Sequence, residues 1–376
     1  MNMKKLVALL LALVMVFALC ACGPKDNQDT GKKDDGKKTA MKADDIPDEM
    51  TSSDGKYQVA FVTDVGDLKD KSFNQGTYDG VKLYANANSK SYKYYKPANG
   101  DKATDDDRYD AMKAAVDNGA EVVVAAGFLQ GTALKKAASE FKDTKFVFID
   151  GWAFDDLTNL AAINFREEQC GYLAGYAAVM EGYTKLGFLG GMAVPAVIRY
   201  GYGFVQGCND AGKAMNDEVT VEYVYGNKFA GTPEITAYMD TWYQEKGVQV
   251  VFACGGGIYT SATEAAKKAN GKVIGVDTDQ AATINKLGTE GMTVTSAMKG
   301  LAPTVKHLLS EVVAGNFANY GGKIETLGLV SANPEENYVQ IPTASTQFED
   351  GKFTQADYEA LVAAMFAGCP NNAETP

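Results

Sequence analysis

From about residue 56 the chain alternates short, β-rich apolar runs with helix-length amphipathic stretches, and this alternation constrains its fold more than any other feature. The predicted strands of a first series are 58–63, 121–126, 145–149 and 160–164. A second series follows at 186–189, 219–225, 248–253, 272–276 and 293–296. Each run is bounded by Gly, Asp or Asn, as buried parallel strands usually are. Helices are predicted between them at 105–118, 131–141, 166–181, 197–215 and 260–270. The first of these carries Tyr109, Met112, Ala115 and Val116 on one stripe. Two series of strands imply an α/β fold of two doubly wound parallel-sheet lobes rather than one oversized sheet. The boundaries read as a first lobe over 56–165 plus about 297–325, and a second over 166–296 plus about 326–370.

Residues 1–21 read as a signal peptide. Lys4 and Lys5 precede an unbroken apolar run, 6–19, which is shorter than the roughly 20 residues that span a bilayer. The run ends in Leu19-Cys20-Ala21-Cys22-Gly23, which looks like a bacterial lipobox, with Cys22 a better acylation site than Cys20 because small Ala21 precedes it. Residues 22–55 mix Lys, Asp, Gly, Asn and Thr with few apolar side chains and read as a lipidated, flexible tether. A lipid and a tether anchor a soluble body on the outer face of the cell membrane.

The net charge of −12 argues against nucleic acid as a partner, since phosphate-backbone binding draws on Lys and Arg. The chain has one histidine, His307, in a helical stretch, which leaves triad and zinc chemistry short of a base or of ligands. Cys170, Cys208, Cys254 and Cys369 sit in unlike contexts without CxxC spacing and read as unpaired thiols. The Asp105-Asp106-Asp107 run suits a helix N-terminus better than a metal site. No catalytic residue, metal site or cofactor is expected, and the triple glycine at 255–257 lacks the spacing of a dinucleotide fingerprint.

Polar residues or glycine follow the strands: Asp64, Gly127-Phe128 and Asp150-Gly151 in the first series, and Gly190-Gly191, Gly255-Gly256-Gly257 and Asp277 in the second. Ligands of open α/β sheets bind beyond the carboxyl ends of the strands, so the site is expected in the cleft between two facing lobes. The segment from Val59 through Asp64, Asp67, Asp70, Ser72, Phe73 and Asn74 to Gly76 offers an aromatic and an amide at that mouth. The same residues suit a helix start capped by Ser72 or Asp70 with Phe73 in the core.

This segment resembles the opening motif of the BMP (basic membrane lipoprotein) family of ABC-transporter substrate-binding proteins. Further motifs resemble the family in order: 165–175 with Gly171 and Gly175; 186–207 with Pro195, Gly203 and Gly207; 251–257; 273–280; and 295–299. The likeness covers about residues 57–345. It implies two type I periplasmic-binding-protein lobes closing on a nucleoside, purines foremost, which is delivered to an ABC permease by a monomeric receptor. It places Phe73 on one face of the base and gives polar contacts to Asp64, Asn74 and Asp150, the last two at the base edge. Asp277 and Lys299 would hold the ribose hydroxyls, with Gly255 and Gly256 in a turn that allows close backbone approach. Phe229 is expected on the other face of the base, with Tyr259 its rival. The chain departs from the family at Cys254-Gly-Gly-Gly-Ile-Tyr259, where Ala and a Gly-Thr-Gly pattern are usual.

A nucleoside hydrolase would also bind ribose with carboxylates, but the spacing Asp64-x-x-Asp67-x-x-Asp70 does not match the calcium cluster of those enzymes. A sugar or signal receptor would share the fold.

Overall fold

The computed structural model describes residues 41–65 and 67–368. The expected signal peptide, the acylated Cys22, most of the tether, and Cys369 lie outside the described residues. The first sheet contains β1 (Val59–Val62), β2 (Tyr92–Tyr95), β3 (Val122–Ala126), β4 (Lys145–Ile149), β5 (Leu160–Phe165) and, from far downstream, β11 (Ile324–Leu327). Its order is β11-β5-β4-β3-β1-β2, with every neighbour parallel. The second sheet contains β6 (Lys185–Gly190), β7 (Thr220–Tyr225), β8 (Val250–Cys254), β9 (Lys272–Asp277), β10 (Thr293–Lys299) and β12 (Val339–Gln340). Its order, β12-β10-β9-β8-β6-β7, repeats that of the first, with only β12 antiparallel. A residue at a strand end in one lobe therefore has a counterpart in the other.

Three strands escaped sequence reading: β2, β11 and β12. All three lie at sheet edges, where one side faces solvent and the apolar signal fades. Tyr92-Lys93-Tyr94-Tyr95 is half-buried beyond its first residue, and Ile324, Glu325 and Thr326 are exposed. The inner strands β1, β3 and β8 are buried throughout, which is why they read as unbroken apolar runs.

The helices are α1 (Phe73–Ala87), α2 (Asp105–Asp117), α3 (Gly131–Glu140), α4 (Glu167–Met180), α5 (Pro195–Met215), α6 (Pro233–Gln244), α7 (Tyr259–Ala269), α8 (Ala281–Leu287), α9 (Leu301–Val313) and α10 (Gln355–Phe366). As expected, the Asp105 run starts a helix: Thr104 and Asp107 cap α2 reciprocally. His307 is exposed on α9, with Nε2 3.1 Å from the Tyr320 hydroxyl. Cys170, Cys208 and Cys254 are buried and unpaired.

The chain changes lobe three times: between β5 and α4, between β10 and α9, and between β11 and β12. Helix α9, which follows the second-lobe strand β10, returns to pack on α1 of the first lobe. Within the second lobe, α4 and α5 lie almost backbone to backbone. A Cβ at Gly203 would come 2.0 Å from the Glu168 carbonyl oxygen, and one at Gly207 2.2 Å from that of Tyr172. Gly171 and Gly175 make the reciprocal approach to Tyr200 and Phe204. Gly203→Ala is therefore expected to destabilise the protein by about 3 kcal/mol, at the upper end of overpacking costs. A urea midpoint unchanged from the parent would show that the helix pair can spread without cost.

Residues 41–55, placed in the tether by composition, pack on the first lobe instead. Ile46 is buried, Met50 makes an antiparallel bridge with Tyr92, and the Tyr78 and Tyr92 hydroxyls donate to the carbonyls of Asp48 and Pro47. Lys69 and Lys82 pair with Asp48. The average polarity of the segment hid the one apolar side chain, Ile46, that fixes it to the lobe.

Candidate functional site

Two corresponding strand ends build the polar floor of the cleft. Asp150 follows β4 and Asp277 ends β9, the same place in each sheet order. Both take left-handed backbone, with φ of 57° and 64°, which is uncommon outside glycine but best tolerated by Asp and Asn. The turn carries each carboxylate off its strand and into the cleft. Between them stands Lys299, at the end of β10. Its Nζ lies 2.5 Å from Asp150 Oδ2, 3.2 Å from Glu167 Oε1 and 3.7 Å from Asp277 Oδ1. Arg199 Nε, from α5, takes the other oxygen of Glu167 at 2.6 Å.

Burial alone would lower the Lys299 pKa, but Asp150, Glu167 and Asp277 together hold it above the ordinary lysine value. Burial pushes Asp150 up to about 6, with Glu167 adding to the rise and Lys299 opposing it. Asp150 Oδ2 is engaged by the ammonium, while its buried Oδ1 has no hydrogen-bond partner. An unsatisfied buried carboxylate oxygen is costly, so this atom is set to accept from a bound N–H or O–H. Asp277 accepts from Ser72 at 2.5 Å and from the Tyr200 hydroxyl at 3.3 Å.

The first βα loop supplies the opposite wall. Asp70 is the cap of α1, accepting from the backbone N–H groups of Ser72, Asn74 and Gln75 at 2.8, 3.1 and 3.1 Å. Burial nonetheless pushes it up to about 7 against those donors. Ser72, the alternative cap, uses its hydroxyl on Asp277 instead. The Asn74 amide N–H donates to Asp64 Oδ1 at 3.0 Å and reaches Asp70 Oδ2 at 3.4 Å, so the amide ties two acids together. Phe73, in the first turn of α1, packs partly on the core and presents its ring 4.6 Å from the Lys299 ammonium.

Phe229 enters from the turn after β7 over the glycines that follow β6 and β8. A Cβ on Gly191 or Gly255 would meet its ring at 2.5 or 2.8 Å, and one on Gly256 would meet its carbonyl oxygen at 2.6 Å. The positive φ of Gly255 and Gly256, 135° and 52°, turns the chain out of the way. These glycines thus seat Phe229 as well as bordering the cleft.

A narrow cavity lies between the lobes, lined by residues of both. It brings together Asp64, Phe73, Asn74, Asp150, Phe229, Gly255, Gly256, Asp277 and Lys299. Tyr259, the rival to Phe229, does not line it and borders an outer crevice instead. Asp150, expected at the base edge, stands at the same end as Asp277, because one ammonium holds both. Sequence reasoning missed Tyr200, Glu167 and Arg199. Tyr200 and Arg199 fall inside the helix predicted at 197–215 and Glu167 in the first turn of that at 166–181, with no local pattern to single them out.

Residues 57–361 match the family model described as Bmp, ABC transporter substrate-binding protein PnrA-like. The chain is 30% identical over 336 residues to a CD4+ T-cell-stimulating antigen of Listeria innocua, covering 84% of this chain and 86% of the relative. It is 27% identical over 370 residues to the ABC transporter nucleoside-binding protein BmpA of Lactococcus lactis, covering 92% and 96%. Among solved structures, a solute-binding protein of an Aeropyrum pernix ABC transporter superposes with a TM-score of 0.65 at 21% identity, over 82% of this chain and 85% of that one. An arabinose ABC-transporter binding protein from Shewanella, covering 83% and 97%, gives 0.55 at 15% identity. These two likenesses concern the fold, two parallel α/β lobes of the periplasmic solute-binding kind.

Proposed function

The chain belongs to the Bmp family of PnrA-like substrate-binding proteins of ABC transporters, and from that membership we propose that it captures nucleosides, purines foremost, for an ABC permease. The observation that carries this reading is one cavity with rings at Phe73 and Phe229 and an acceptor-rich floor at Asp150 and Asp277. A planar base suits the rings, since stacking on an aromatic is worth about 1–3 kcal/mol per base. A ribose with vicinal hydroxyls suits paired carboxylates, which accept strong charge-assisted bonds. Five acids, Asp64, Asp70, Asp150, Glu167 and Asp277, surround two cations, Lys299 and Arg199, so an uncharged ligand rich in donors is favoured over a phosphorylated one.

Binding without conversion is the proposed activity. Among the described residues the thiol that borders the cavity is that of Cys254, and burial pushes it well above its ordinary pKa, which leaves it a poor nucleophile. A thermal-shift panel of nucleosides, free bases, pentoses and hexoses tests the reading. Nucleosides should raise the melting temperature most; a response to hexoses alone would replace the nucleoside reading with a sugar receptor.

The substrate-binding proteins of ABC transporters work on the extracytoplasmic side. Among the described residues no helix is long and apolar enough to cross a membrane. The proposed attachment is a lipid on Cys22, with the receptor acting as a monomer. Cys22→Ser should move the protein from the membrane fraction to the medium or leave uncleaved precursor, and undiminished lipid labelling of that variant would shift the anchor to Cys20.

A further inference from the structure

We propose that the dipeptide Lys71-Ser72 is a clasp that holds the two lobes together and sets how long a ligand stays, whatever that ligand is. Lys71 adopts left-handed backbone, φ 55°, at the head of α1. Such conformations in a residue other than glycine cluster at clamps and switch regions, where the surrounding contacts hold them. The turn aims its carbonyl across the cleft, where it accepts from Thr278 Oγ1 at 2.8 Å and from Gln280 Nε2 at 3.0 Å. The next residue, Ser72, donates to Asp277 at 2.5 Å. Two consecutive first-lobe residues thus bond to three residues within a four-residue stretch of the second lobe.

The receiving stretch is rigid. Gln280 is fully buried, its Oε1 accepts from the Val276 N–H at 2.9 Å, and its own N–H donates to Ser296 at 3.1 Å. The helix start sits hard against it, since a Cβ on Gly76 would lie 3.0 Å from the Thr278 methyl. Lys71, Thr278 and Gln280 do not line the central cavity. Their bonds join lobe to lobe directly and have no part in telling one ligand from another. A contact present in the closed form and lost in the open one biases that equilibrium by its own strength.

Small-angle scattering of the protein without added ligand tests the clasp. The Ser72→Ala/Thr278→Val double variant removes two hydroxyl donors at nearly constant shape and should have a larger radius of gyration than the parent. Thr278→Ser keeps the donor and should match the parent. Identical profiles for the parent and the double variant overturn the clasp. With inosine as probe, release from Thr278→Val should be about 3- to 10-fold faster than from the parent, as expected for one lost hydrogen bond. The same factor should apply to uridine, and a different one would mean that Thr278 reads the ligand rather than the other lobe. This kinetic arm rests on the nucleoside reading. A parent that binds neither nucleoside sinks that reading, while the scattering comparison still decides the clasp.

Discussion

Replacing Asp277 with asparagine is expected to weaken inosine binding by about 100-fold or more while leaving the fold in place. Two ribose hydroxyls donating to this carboxylate would contribute about 1.5–3 kcal/mol each, and every 1.4 kcal/mol is a factor of ten. Part of that is returned, because Ser72 and Tyr200 already donate to the same group and must share it. Asparagine tolerates the left-handed backbone at φ 64°, whereas alanine would add strain and mix a folding effect into the measurement. Calorimetry with inosine and 2′-deoxyinosine separates the contributions. The parent should prefer the ribonucleoside by at least about tenfold, and Asp277→Asn should narrow that preference. Equal affinity of the parent for both compounds would remove the hydroxyl role from Asp277.

Lys299→Met should have the largest effect on stability. One ammonium neutralises buried Glu167 and Asp277 and largely buried Asp150, whose side chain is 9% exposed, while Arg199 pairs with Glu167. Removing one side of a buried ion pair typically costs about 3–5 kcal/mol, since the abandoned charge cannot return to water. Proton uptake then offsets part of the loss. Asp150 is already pushed up to about 6 by burial and by Glu167, and without the lysine it rises further. A carboxyl whose folded pKa exceeds its unfolded one near 4 contributes stability at low pH and loses it as pH rises through the folded value. The deficit of Lys299→Met relative to the parent should therefore widen between pH 5 and pH 8. Urea unfolding at both pH values measures it, and a deficit that shrank with rising pH would mean that the three acids are not the groups left uncompensated.

How much was legible follows from where each signal lies. The inner strands are apolar on both faces, so β1, β3, β4 and β8 could be read directly, whereas three of the four edge strands, β2, β11 and β12, could not. Asp64, Asp150 and Asp277 were legible as polar residues punctuating apolar runs, and that pattern survives folding because strand ends stay where the strands put them. Glu167 and Arg199 were not. A glutamate in a first helical turn and an arginine on a helix look solvated in sequence, and only the near contact of α4 with α5 buries the glutamate and pairs it with the half-buried arginine. The cap of α1 was open between Ser72 and Asp70, since both suit it locally. The choice was made by Asp277, a residue more than two hundred positions away that claims the serine hydroxyl. Likewise, the ammonium that draws Asp150 towards Asp277 lies on a strand of the other sheet, beyond the reach of local pattern.

The three lobe crossings have a consequence for the order in which the molecule can be completed. A chain made from its N-terminus finishes β5 at Phe165, yet the first sheet then still lacks its outer strand, and α1 lacks the helix that covers it. Both missing pieces, α9 and β11, arrive only after almost all of the second lobe. Until then the edge of β5 and the apolar side of α1 are uncovered, which is the kind of surface that invites mispairing between neighbouring chains. Neither half can be cut out as an independent receptor, and a chain arrested anywhere between residues 166 and 300 carries an unfinished lobe that must be kept from aggregating until the last strand is supplied.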